Sequence, residues 1–174
     1  MSAADLPRLF AEIAPRFGLS RPAGLCLGAI WRAAEAPSAE DLVTRLGISR
    51  SNVSTALKEL RGWGLIEVTR AFGSRRELFL APADPWALAR QLIAERQRRD
   101  IAPVIDRLQA LEATGDPRAA DLMAAFEAGS EWLAALARHE PGELAQLIGA
   151  GGGELGFATA EAGKKKKKKH RDKG

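Results

Sequence analysis

The sequence is poor in several residue types on which common functions depend. Tyrosine is absent, aromatic residues make up 6% of the 174 residues, and there are only one cysteine and two histidines. Cys26 alone cannot form an intramolecular disulfide, and His139 and His170 do not have the close spacing of a zinc site. The sequence therefore disfavours a disulfide-rich secreted protein, and it predicts that the chain holds no metal.

Catalytic signatures and long apolar runs are also missing. No Gly-rich phosphate loop follows a predicted strand, and neither a Ser-x-x-Lys nor a Gly-x-Ser-x-Gly nucleophile pattern occurs. The N-terminus lacks the basic region and the apolar run of a signal peptide, and no apolar stretch approaches the length of a membrane span. We therefore expect a soluble cytoplasmic protein that is not an enzyme and that uses no cofactor.

Positive charge, in contrast, is concentrated in two places. Residues 42–80 hold seven basic and three acidic side chains, although the whole chain has a formal net charge of only +4. The second concentration is the C-terminal tail, whose basic residues are Lys164, Lys165, Lys166, Lys167, Lys168, Lys169, Arg171 and Lys173. Such local concentrations favour a polyanion such as nucleic acid as the partner.

The apolar spacing predicts a mainly α-helical chain. Pro15 should kink or end the first helix, and a second helix, capped by Ser20, should end near Glu35. Asp84 and Pro85 should start a long helix, with a kink at Pro103 and an end at Gly115. Further helices should begin at Asp116-Pro117 and cover 141–148, whereas the Gly- and Lys-rich sequence from about residue 151 predicts disorder.

Residues 38–80 carry the most informative pattern. Ser38 and Asp41 resemble a capping box, Gly47 supplies a turn, and Ser49 can cap a second helix that ends near Gly62 or Gly64. Two short strands follow, at 65–70 and 77–80, with the Gly-containing, Arg-rich segment 71–77 as the wing. Helix, tight turn, helix and hairpin in this order predict a winged helix-turn-helix.

Polar residues on the outer side of the second helix, 49–62, and on the wing are the candidate DNA contacts. Side chains of these types donate to base edges in the major groove and to phosphates, and arginines at a wing also enter the minor groove. The candidates are Ser49, Arg50, Ser51, Asn52, Ser54, Thr55, Lys58, Arg61, Arg70, Ser74, Arg75 and Arg76. The alternative interpretation is that these residues merely solvate a surface helix.

The region from Phe17 to about Trp86 resembles the winged-helix regulators of the MarR superfamily, in particular the GbsR-like branch. The segments that carry the resemblance are Phe17-Gly18-Leu19-Ser20-Arg21-Pro22, residues 46–54, Leu60, Gly64-Leu65-Ile66, Gly73-Ser74-Arg75-Arg76 and Asp84-Pro85-Trp86. The chain departs from the broader pattern by lacking the Asp-x-Arg wing signature. The resemblance implies a dimeric DNA-binding regulator, usually a repressor, with a quaternary ammonium compound as its effector.

Together these observations predict the organisation of the whole chain. We expect a winged helix-turn-helix DNA-binding domain at residues 1–82, a helical dimerisation region at 83–149, and a disordered linker and polybasic tail at 150–174. The protein would be a homodimer on the bacterial nucleoid that reads a palindromic operator in double-stranded DNA. One alternative is an architectural, nucleoid-associated protein whose affinity comes mainly from the tail. Another is a protein-interaction module, since a winged helix can present the same surface to a protein.

Three further features of the sequence have more than one interpretation. The tail is a phosphate-binding arm, a solvated segment without a role, or an addition to the natural sequence. The later helices form a dimer interface or complete a monomer core. Cys26 and the tryptophans are expected to be core residues rather than a redox sensor or an effector pocket.

Overall fold

The computed structural model describes residues 5–70, 73 and 75–149. These residues belong to two compact units, divided between Arg138 and His139. The helices are α1 (Asp5–Ile13), α2 (Arg21–Arg32), α3 (Ala39–Leu46), α4 (Arg50–Gly62), α5 (Pro85–Arg96), α6 (Ala102–Glu112), α7 (Pro117–Arg138) and α8 (Pro141–Gly149). The strands are β1 (Glu67–Arg70) and β2 (Glu77–Leu80).

The first two helices pack with their backbones almost in contact. A Cβ atom added at Gly24 would lie 2.4 Å from the carbonyl oxygen of Phe10, and one added at Gly28 would lie 2.7 Å from the Cα of Pro7. The first predicted helix, which Pro15 should kink or end, is α1, and a 3₁₀ turn over Ala14–Phe17 follows it. Glycine in α2 is therefore required by helix packing rather than by the helix itself.

The helix-turn-helix forms as the sequence predicts. Ser38 caps α3 in a full capping box with Asp41, and Gly47 ends that helix with a φ of +63°. Ser49 then caps α4. The buried side of α4 enters a continuous core with α2, the hairpin and α5, whose central members are Cys26, Leu42, Val53, Ala56, Leu60 and Leu65.

The hairpin is a two-stranded antiparallel sheet that pairs Glu67 with Leu80 and Arg70 with Glu77. β1 is shorter than the predicted strand 65–70, because Leu65 and Ile66 are buried in the core before the ladder begins. The backbone N–H of Phe79 donates to the carbonyl oxygen of Pro37. This bond attaches the hairpin to the chain that precedes α3.

Helix α2 ends at Arg32, three residues earlier than the predicted end near Glu35. Its C-cap, Ala33, already has an extended backbone. The chain must leave the helix here because Pro37 has to reach the hairpin. Tertiary pairing thus overrides the local helical preference of these alanine-rich residues.

A π-helical turn over Gln97–Ile101 ends two residues before Pro103, at which the sequence predicts a kink. Pro103 sits in the first turn of α6, where its missing N–H is tolerated. Proline interferes with the carbonyl group four residues before it, and the wider turn relieves this: the N–H of Ala102 donates to Gln97. Asp84 caps α5 as predicted.

The fold class is therefore confirmed as mainly α-helical with a small hairpin wing. Leu88 of α5 belongs to the winged-helix core, and α5, α6 and α7 pack together within the same unit. The boundary between residues 82 and 83 and the dimerisation role of 83–149 stay predictions. In the described part of the chain, no helix has the length and apolarity to cross a bilayer.

Candidate nucleic-acid interface

Helix α4 separates an apolar side from a polar side with little mixing. Val53, Ala56 and Leu60 are completely buried. All of the candidate contacts on this helix and its cap are exposed: Ser49, Arg50, Ser51, Asn52, Ser54, Thr55, Lys58 and Arg61. The inward stripe holds α4 on the core while the outer face stays available to a ligand.

The first turn of α4 is locally organised. The Ser49 Oγ accepts a hydrogen bond from the backbone N–H of Asn52 at 3.2 Å, and it lies 3.0 Å from the Ser51 Oγ. Ser49 therefore acts as the cap of the helix as well as a candidate contact. Since the cap uses the backbone of Asn52 only, the exposed amide side chain of this residue is not involved in the cap.

A groove of about 600 Å³ runs between α3, α4 and β2. Arg50, Lys58 and Arg61 line it from α4. Glu40 of α3 and Glu77 of β2 also line it. Three basic side chains of α4 thus face the groove, and two carboxylates line it from the first turn of α3 and the start of β2. We call the exposed side of α4 the recognition face.

Arg76 ties the hairpin to α3. Its Nη2 donates to the Ser38 Oγ at 2.6 Å and to an Asp41 carboxylate oxygen at 3.2 Å, and its Nε lies 3.7 Å from Glu40. Ser38 is 1% exposed. Sequence reasoning predicted Arg76 as a DNA contact near the wing tip; in the structure it binds the cap of α3, and its contact with DNA stays a prediction.

The capping box also determines the electrostatics of Asp41. Hydrogen bonds from the backbone N–H and then the hydroxyl of Ser38 hold the pKa of this carboxyl below its usual range. The nearby Arg76 acts in the same direction. At neutral pH Asp41 is therefore ionised, and its carboxylate forms an ion pair with Arg76.

The remaining predicted contacts fall into two groups. Arg70, the last residue of β1, and Arg75, two residues before β2, are both exposed. Ser74 and the basic tail from Lys164 to Lys173 lie outside the described residues. The groove beside α4 is lined from β2 by Glu77 and Phe79, and a shared role of Arg70 and Arg75 with the α4 residues stays a prediction.

The C-terminal end of α4 is held by residues that the sequence analysis did not select. Arg99 donates from its Nη2 to the carbonyl oxygen of Gly62 at 2.9 Å, and Gln91 donates to that of Trp63 at 3.0 Å. Glu59 accepts hydrogen bonds from the N–H and hydroxyl of Ser20, at the start of α2. The only sequence signal was the dense charge of residues 95–100, which does not indicate a distant partner.

The geometry defines a class of fold: a winged helix-turn-helix with an exposed basic recognition helix. Residues 17–77 match the model of the MarR family. A solved structure described as "Crystal Structure of a transcriptional regulator" is similar to this chain, with a TM-score of 0.60 and 24% identity over 76% of this chain and 93% of that one. Comparison with the curated proteins finds no match.

Proposed function

We propose that this protein is a sequence-specific DNA-binding transcriptional regulator. The observation that carries the proposal is the exposed polar and basic face of α4, in a segment that matches the MarR family. An α-helix fits the major groove, and its exposed side chains then face the base edges. The described transcriptional regulator with a similar fold supports the same class of function.

In this proposal, the residues of α4 divide by the chemistry of their side chains. Asn52, Ser51 and Thr55 read base edges, with the Asn52 amide able to bond an adenine in two places. Arg50, Lys58 and Arg61 hold phosphates or guanines. Glu40 and Glu77 repel phosphates from the far side of the groove, which favours one orientation of the DNA on this face.

The wing completes the interface. Arg75 and Arg70 are exposed in the hairpin, where an arginine can reach the negative potential of a narrow minor groove. Arg76 either holds the wing on α3 or exchanges Asp41 for a phosphate when DNA arrives. We expect Asn52→Ala to change the sequence preference, and Arg75→Ala to weaken binding to all sequences alike.

We further propose a homodimer that reads a palindrome and acts as a repressor by occluding the promoter. Two recognition helices about 34 Å apart face successive major grooves on one side of the DNA. Exposed large apolar residues on the later helices support a second copy as partner: Leu111, Leu122 and Trp132 are each about half exposed. Sedimentation equilibrium showing a monomer at micromolar concentration would refute the dimer.

The most specific part of the proposal is that the protein is a GbsR-like regulator and that its effector is a quaternary ammonium compound. Aromatic rings bind such cations by cation–π attraction. The ring of Trp63 is already covered by the guanidinium of Arg99, whose Cζ lies 4.6 Å from the ring centroid. The cavity that contains Phe17 also contains Arg16 and Arg96, whose charge opposes a cation. Tryptophan fluorescence and DNA affinity that do not respond to millimolar choline or betaine would exclude these two effectors.

The deciding experiment is selection of genomic DNA fragments at physiological salt by residues 1–150 and, in parallel, by the full chain. Enrichment of a palindrome with half-sites about one helical turn apart would support a dimeric regulator. Retention of all sequences by the full chain alone would instead favour architectural binding through the basic tail. No retention by either protein would refute DNA binding by the apo protein.

A further inference from the structure

We infer that Arg99 is a positioning residue for DNA recognition: from the π-helical turn after α5, it fixes the C-terminal end of α4 and so the angle at which α4 meets DNA. The inference rests on the proposed function. In this role Arg99 does not itself contact DNA. It assigns a role in recognition to a residue that lies 37 positions beyond the helix it holds.

Arg99 contacts the end of α4 in two ways. Its Nη2 donates to the Gly62 carbonyl oxygen, one of the last carbonyl groups of the helix, which have no partner within the helix itself. Its guanidinium also lies over the ring of Trp63, the C-cap residue, which is 5% exposed. One side chain thus binds the helix end twice, by a hydrogen bond to its backbone and by a cation–π contact with the ring of its C-cap residue.

Glu95 holds Arg99 in this position. Its carboxylate accepts from the Arg99 Nε at 2.7 Å and also from the Arg98 Nη2 at 2.7 Å, and the residue is 9% exposed. Burial opposes ionisation of Glu95, yet the hydrogen bonds from Arg98 and Arg99 outweigh it and lower the pKa of this carboxyl. An ionised, nearly buried carboxylate thus orients the guanidinium before any ligand arrives.

A second contact acts on the same end of α4. Gln91, two turns earlier in the helical region, donates to the Trp63 carbonyl oxygen. The backbone of Gly64 leaves little space beside it, because a Cβ atom there would lie 2.6 Å from the Gln91 Nε2. The end of α4 is therefore fitted against α5 and the π-helical turn, and a shift of these helices would be passed to the recognition face.

Arg98 provides a matched control. It is the neighbour of Arg99, carries the same charge and binds the same Glu95 carboxylate. Within residues 5–70, 73 and 75–149, all of its hydrogen bonds and ion pairs are with Glu95. Arg98→Gln and Arg99→Gln each remove one charge and one ion pair with Glu95. Only Arg99→Gln also removes the contacts with Gly62 and Trp63.

The experiment measures DNA affinity, its salt dependence and backbone hydrogen exchange for the full-length wild type, Arg98→Gln, Arg99→Gln and Arg99→Lys. The DNA is the fragment recovered by the selection described above. The informative amides are those of Trp63, Gly64 and Leu65, which donate to the last turns of α4. We expect Arg99→Gln to bind about five-fold more weakly, a change of about 1 kcal/mol, and to exchange these amides faster.

We expect Arg98→Gln to stay within two-fold of the wild type in DNA affinity and in the exchange rates of these amides. Arg99→Lys should lie between the wild type and Arg99→Gln, because lysine keeps the charge but lacks the planar guanidinium. The slope of affinity against salt should be equal in all four proteins. A slope reduced by about 0.9 in Arg99→Gln would show that Arg99 contacts a phosphate directly, and would overturn the positioning role.

Equal effects of Arg98→Gln and Arg99→Gln would also overturn it, since the ion pairs with Glu95 would then account for the loss. So would wild-type affinity in Arg99→Gln. If the wild type binds no DNA, the proposed function fails, and the positioning role in recognition fails with it. Faster exchange in Arg99→Gln alone would then define Arg99 as a cap of α4 only.

Discussion

Replacement of Ser38 by alanine tests the attachment of the wing most directly. The Ser38 Oγ accepts a hydrogen bond from the Asp41 N–H, donates to the Asp41 carboxylate and accepts from Arg76. The side chain is almost completely buried, so water cannot replace these contacts without rearrangement. We expect Ser38→Ala to destabilise α3 and to weaken the attachment of the hairpin to α3 through Arg76.

The expected loss has two parts. Removal of an N-cap serine costs about 1 kcal/mol. The broken bond with Arg76 adds about 1 kcal/mol at most, since this side chain is half exposed and regains water. A total of about 2 kcal/mol corresponds to a fall in Tm of about 6 to 8 °C for a unit of this size.

The assay is thermal and urea unfolding followed by tryptophan fluorescence, with Ser49→Ala as the matched control. Ser49 also caps a helix but is exposed, and within the described residues its hydroxyl has no hydrogen bond with an arginine, so its loss should cost about 1 kcal/mol. Equal losses in the two variants would show that the bond with Arg76 contributes nothing. A double-mutant cycle of Ser38→Ala with Arg76→Gln should give a coupling of about 0.5 to 1 kcal/mol if the reasoning is correct.

Three other predictions follow from the same structure. Because the fold lowers the pKa of Asp41, the ionised carboxylate stabilises the fold fully above the ordinary carboxyl pKa, and this stabilisation is lost as the pH falls through the lowered pKa. Asp41→Asn should therefore make the free energy of unfolding in urea fall less between neutral pH and pH 3 than it does in the wild type. Gly24→Ala should cost about 3 kcal/mol because its Cβ meets the backbone of Phe10, whereas Gly129→Ala, in open space on α7, should stabilise by about 0.5 kcal/mol. Cys26 should not react with a thiol reagent at pH 8 until the protein unfolds, since burial raises its pKa to about 12; stoichiometric labelling of the native protein would contradict this.

The parts of the fold that the sequence predicts correctly are those that depend on neighbouring residues. The caps at Ser38 and Ser49 and the left-handed turn at Gly47 are local, because each involves side chains and backbone groups within about four positions. The early end of α2 and the π-helical turn are not local. The first follows from pairing between Pro37 and Phe79, and the second from a proline whose effect spreads to the preceding turn.

The candidate interface shows the same division. The exposure of Asn52 and Lys58 follows from the helical period of the buried stripe, which the sequence alone displays. The contact of Arg76 with Ser38 and that of Arg99 with Gly62 each join residues more than 35 positions apart. Charge and helical period could not distinguish these arginines from those that face solvent, since both kinds lie among other charged residues.

The buried state of Cys26 has a practical consequence. It is the single cysteine of the chain, it is 0% exposed, and its thiol remains protonated at the pH of maleimide chemistry. A cysteine introduced at Arg75 or at Thr55 would therefore be the one reactive thiol of the native protein. Fluorophores, spin labels or photo-crosslinkers can thus be placed on the wing or on α4 without first replacing Cys26.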